Sequence, residues 1–146
     1  MAKTWFIAGA AILMAAGGGH ALLTLFDMVR PTLLTPIDDS VRSAMERTGF
    51  RFRRLFPGAD DVTPTMWRLW LGFNASHGLG VFTFGLVCLL IAVHDYTLLD
   101  RIGALQPLTI AFPAVYFVIA LRYWFYVPAL VTVGAFACFT VAALAG

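Results

Sequence analysis

The sequence predicts an all-α polytopic membrane protein, an antiparallel bundle of four transmembrane helices with one polar loop between helices 1 and 2. Three observations carry this. The 146 residues are 60% hydrophobic and only 12% charged, against roughly 25% charged in soluble domains. The mean hydropathy is +0.83. The apolar residues fall into charge-free runs long enough to cross a hydrocarbon core of about 30 Å, and one polar stretch interrupts them. A single transmembrane domain over 1–146 follows, with spans near 4–30, 64–94, 102–122 and 127–145 and the polar loop at 31–63.

The first span opens on Lys3 and continues from Trp5 to Phe26 without a charge. That run is too long for the apolar region of a secretory signal, so an uncleaved helix is expected. It should stop at Arg30, because Pro31 lacks a backbone donor and disfavours helix in the residue before it. In the loop, Asp39 or Ser40 is expected to cap a short helix through Thr48, with Val41, Ala44, Met45 and Thr48 on its less polar face. The following Phe50-Arg51-Phe52-Arg53-Arg54-Leu55-Phe56 mixes aromatic and cationic side chains. It would either lie on lipid headgroups or form an ordinary loop whose arginines pair with Asp38, Asp39, Glu46, Asp60 and Asp61.

Thr63-Pro64 predicts the start of the second span, Thr63 as cap and Pro64 in the first helical position. Trp67, Arg68 and Trp70 then fall at the interface, where amphipathic aromatics gather. The third span contains Pro107 and Pro113, the latter placed to bend it. The aromatic connection Arg122 to Tyr126 leads to Pro128, which opens the fourth span.

Basic residues indicate orientation. Arg30, Arg42, Arg47, Arg51, Arg53, Arg54, Arg68 and Arg122 lie on one side, and Lys3 and Arg101 on the other. The positive-inside rule puts the polar loop in the cytoplasm and both termini outside. The formal charge is only +2, with arginines interleaved among acids, so no nucleic-acid footprint is indicated. Cys88 and Cys138 form no C-x-x-C pair and read as small packing residues.

Ionisable side chains inside a membrane are costly, which makes each a functional candidate. His20 precedes Asp27 by about two helical turns, and His77 follows Arg68 by between two and three. At 1.5 Å per residue both histidines lie roughly 10 to 14 Å below the polar-loop surface. Helical periodicity groups Trp67, Trp70, Asn74 and His77 on one face and His20, Thr24 and Asp27 on another. Tyr116 reaches the same level on the third span. A polar pocket in one leaflet follows, lined by His20, Thr24, Asn74, Ser76, His77 and Tyr116, with Trp67 and Trp70 enclosing it and Asp27, Arg68 and Arg122 at its mouth.

Several uses of these residues stay open. Asn, Ser, Thr and His commonly hydrogen-bond between membrane helices, and Gly17-Gly18-Gly19, Gly78 and Ser76-x-x-x-Gly80 suit close packing. The two histidines would suit the axial positions of a b-type haem, although a four-helix bundle has to splay around so large a ring. A metal site lacks a third ligand, Asp27 being about two turns from His20. An apolar molecule with a polar head, a lipid, quinone or isoprenoid, needs the least of the bundle, with Trp67, Trp70, Phe73 and Tyr116 enclosing its body while Asn74 and His77 hold its head. If a reaction is catalysed, His20 or His77 is the natural acid or base.

Met66-Trp67-Arg68-Leu69-Trp70-Leu71-Gly72-Phe73-Asn74-Ala75-Ser76-His77, together with Gly17 to His20, resembles the signature of a family of small, uncharacterised bacterial membrane proteins. The resemblance implies a four-span protein of the bacterial inner membrane and brings no activity with it. The Gly17-Gly18-Gly19 run and the arginine-rich loop depart from the family pattern. Two functions compete: a protein binding or acting on a lipid-like ligand at His20, Asn74 and His77, and a non-enzymatic accessory or scaffolding subunit docking on a membrane partner or on a second copy.

Overall fold

The computed structural model describes residues 1–49 and 64–146. The Phe50 to Phe56 segment, Asp60, Asp61 and the expected Thr63 cap lie outside them. Among the described residues six helices form: α1 (Ala2–Val29), α2 (Asp39–Arg47), α3 (Met66–His94), α4 (Leu98–Arg101), α5 (Leu105–Tyr123) and α6 (Tyr126–Leu144). Helices α1, α3, α5 and α6 are each long and apolar enough to cross a membrane. Many of their large apolar side chains are exposed, among them Leu22, Leu90, Val118 and Leu130, as expected of helices solvated by lipid tails rather than water.

The element boundaries follow local chemistry. Asp38, not Asp39 or Ser40, caps α2, its carboxylate accepting the Ser40 N–H at 2.8 Å. The Ser40 hydroxyl, and then its backbone N–H, hold the Asp38 carboxyl below its usual range. Pro64 lies outside α3, which begins two residues later at Met66. Thr65 is the local start signal: its backbone bridges Gly49 and its hydroxyl accepts the Arg68 N–H at 3.3 Å, the N-cap bond to the third helical residue. Within α5, Pro113 removes the donor that the Thr109 carbonyl would otherwise receive, a loss that membrane helices tolerate. The hydroxyls of Thr109, Thr132 and Thr140 bond back to carbonyls of their own helices.

The described chain divides into two compact units, Met1–Gly18 with Leu79–Gly146, and Gly19–Gly78. In the first, Phe6 is the hub, meeting Tyr96 and Phe139 edge to face at 5.5 and 4.9 Å. Ala10, Leu13, Cys88 and Ala135 are buried around it. Both cysteines are reduced and buried, in keeping with a packing role. Helices α5 and α6 pack together as a hairpin whose connection is only Trp124 and Phe125. Phe112 of α5 stacks on Phe84 at 3.9 Å and on Tyr116 at 4.7 Å.

Since lipid tails are as apolar as the side chains, membrane helices associate through close contact rather than hydrophobic transfer. Gly85 provides such a contact in this unit. A Cβ there would fall 2.8 Å from the Ala10 carbonyl oxygen and 2.9 Å from the Met14 nitrogen.

The α3–α5 connection holds a short polar turn that includes α4, an element absent from the expected spans. The Asp95 carboxylate accepts the Thr97 hydroxyl at 2.5 Å and pairs with Arg101. These contacts, the Thr97 hydroxyl foremost, hold its carboxyl below the usual range. A carboxyl depressed in the folded state stabilises it fully above the unfolded value of about 3.9, and that contribution is lost as the pH falls through the lowered value. Amide exchange at Leu98 to Arg101 should therefore be steady from neutral pH down to about 4 once corrected for intrinsic rates, and faster in stronger acid. Asp95→Asn should exchange at the faster rate throughout; an unchanged rate in that variant would remove the carboxylate from the account.

Candidate functional site

The unit Gly19–Gly78 contains the end of α1, the segment that follows it, α2 and the start of α3. One continuous chain of hydrogen bonds organises it. It begins at Asp27, which is 1% exposed. Its Oδ1 accepts the backbone N–H groups of Thr32 at 3.0 Å and Leu33 at 2.9 Å, and its Oδ2 accepts that of Leu34. The local cause is Pro31, which ends the helix and leaves the next three donors without helical partners. A carboxylate facing successive N–H groups is a concentrated form of anion binding by backbone.

From there the chain passes to α3. The Leu34 carbonyl accepts the Trp70 indole N–H at 2.8 Å. The Trp70 carbonyl accepts the Asn74 amide Nδ2 at 2.8 Å, and Asn74 Oδ1 meets His20 Nε2 at 3.2 Å. Thr24 returns to α1 by donating its hydroxyl to the His20 carbonyl at 2.9 Å. Thr24 and Asn74 are buried, at 0% and 7% exposure. Among the described residues no buried side-chain nitrogen or oxygen lacks a partner.

The two histidines stand in contact. Their rings meet edge to face with centroids 5.4 Å apart, and both are half-buried. Phe73 stacks on His77 at 5.7 Å and is itself exposed, as is Trp70. Trp67 is buried, with the Arg42 guanidinium 5.3 Å above its ring, a cation–π contact that holds α2 on the start of α3. Arg42 also reaches Glu46 at 3.1 Å.

His20, Thr24, Trp70, Asn74 and His77 thus share one connected site, with Trp67 close along α3. Ser76 is exposed and turns its hydroxyl to the Phe73 carbonyl at 3.0 Å. Tyr116 and Arg122 belong to the other unit, Tyr116 stacked on Phe112 and Arg122 exposed. Arg68 is exposed. Asp27 differs from its expected place at a pocket mouth: it is buried and its carboxylate is used by backbone. Sequence reasoning gave Leu34 no part in the site. The signal for it was the acid before a helix-ending proline.

Axial haem ligation does not fit this arrangement, since Asn74 engages His20 Nε2 and the imidazoles touch each other instead of facing across a gap. Among the described residues no group of three or more His, Cys, Asp or Glu side chains is placed to hold a metal ion. Compared with protein-family models, curated proteins and solved structures, the chain matches none. What the fold defines is an all-helical protein with four helices able to cross a membrane.

Proposed function

We propose that this protein holds an apolar molecule with a polar head, a lipid, quinone or isoprenoid, at the His20–His77 pair. The observation that carries the proposal is the ring contact of two half-buried imidazoles on two membrane-crossing helices. Intramembrane ionisable groups are costly, and a single histidine bonded to Asn74 would satisfy a packing role. Exposed Phe73 and Trp70 offer aromatic surface beside the pair for an apolar body, and pockets of this kind combine such surface with a few fixed polar groups.

The expected result is an amphiphile in the organic extract of protein purified in mild detergent, detected by mass spectrometry. His77→Ala should lower its amount at least about tenfold, the equivalent of one buried hydrogen bond, with helicity unchanged. Equal amounts in both proteins would remove His77 from ligand retention.

A non-enzymatic accessory role is the second reading, favoured by Gly72 and Gly80. A Cβ at either meets nothing within 4 Å, and small residues with open space admit a close neighbouring helix. We place the protein in a bacterial inner membrane, its four spans alternating in direction and its 31–63 loop in the cytoplasm. The support is the excess of arginine in and beside that loop.

A further inference from the structure

We infer that the molecule held at this site presents a hydroxyl group to Nδ1 of His20, so that it is a long-chain alcohol or phenol rather than a ketone or an ether. The inference rests on the ligand-binding reading above and narrows it by hydrogen-bond direction. The Trp70 carbonyl can only accept, so the Asn74 group facing it at 2.8 Å is the NH2. The amide oxygen therefore faces His20. That oxygen also can only accept, which requires His20 Nε2 to carry the hydrogen. A neutral imidazole has one N–H and one lone pair, and the lone pair is thus on Nδ1.

Asn74 is buried at 7% exposure, and its two bonds join both helices, so the amide is not free to turn over. Among the described residues Nδ1 of His20 has no hydrogen-bond partner, and none of their buried polar side-chain atoms is unpartnered. Nδ1 is therefore an accessible acceptor. An acceptor in an apolar setting selects a donor, because pairing it with another acceptor leaves both unsatisfied. A ketone or ether oxygen offers no donor, and a hydroxyl does. Asn74 is a positioning residue here, acting on the ligand through the tautomer of His20.

The test compares farnesol with farnesyl methyl ether, which share the apolar chain and the head oxygen and differ in the donor hydrogen. Both are titrated into the full-length protein in mild detergent at mildly alkaline pH. The alcohol should bind roughly tenfold more tightly than the ether, the worth of one hydrogen bond, and His20→Leu should bring the two to equal affinity. Nitrogen-15 histidine spectra of the wild-type protein should show His20 protonated on Nε2. Equal wild-type affinity for the two probes, or a His20 protonated on Nδ1, overturns the hydroxyl assignment and leaves the ligand reading standing. Failure of both probes overturns the assignment too, and an empty organic extract would then overturn the ligand reading with it.

Discussion

Asp27→Ala should destabilise the protein by about 3 kcal/mol or more, since each donor left without a partner costs about 1 to 3 kcal/mol. The substitution strips the acceptors from three consecutive N–H groups, those of Thr32, Leu33 and Leu34. It also loosens the Leu34 carbonyl that receives Trp70, so the effect spreads into α3. Asp27→Asn keeps one acceptor oxygen and turns an NH2 toward a backbone donor, and should fall between the two. Thermal unfolding in mild detergent reads the stability, and protease cleavage within residues 31–38 reads the local release. A variant as stable and as resistant as wild type would mean that water replaces the carboxylate without cost.

The second large effect is expected at Gly85. Because a Cβ there would meet the backbone of Ala10 and Met14 at under 3 Å, no rotamer change relieves the clash and the helices must part. Overpacking costs about 1 to 3 kcal/mol where side chains can shift. Gly85→Ala should reach the upper end of that range, and Gly85→Leu should prevent accumulation of folded protein. Gly72→Ala is the control. Its Cβ meets open space, so the substitution should be neutral or gain about 0.5 to 1 kcal/mol from reduced chain entropy. Equal melting temperatures for Gly85→Ala and Gly72→Ala would show that α1 and α3 can separate freely at this point.

These two positions show which parts of the molecule were legible in the sequence. The membrane-crossing helices were, because charge-free runs and prolines mark them locally: α1 ends within a residue of its expected stop and α3 ends at His94 as expected. The similar depth of His20, Asn74 and His77 was read from helical spacing, and the structure places Asn74 at 3.2 Å and the His77 ring at 5.4 Å from His20. The role of Asp27 was hidden, because it depends on the path of an irregular segment after Pro31. Nothing in the spacing of side chains describes where backbone N–H groups point. Helix α3 starts two residues after Pro64, at Met66, because the Thr65 hydroxyl accepts the Arg68 N–H there, a bond that the proline signal does not announce. Gly85 looked like any glycine in an apolar helix, since a close approach belongs to two segments far apart in the chain.

The carboxylate of Asp27 also changes where the chain can leave its helix. Irregular backbone is excluded from lipid unless its polar groups are satisfied within the protein. Three successive N–H groups are satisfied here by one side chain, and the carbonyl of Leu34 by an indole. The polypeptide therefore leaves α1 without needing water at any of these four backbone groups, which the protein itself supplies with partners.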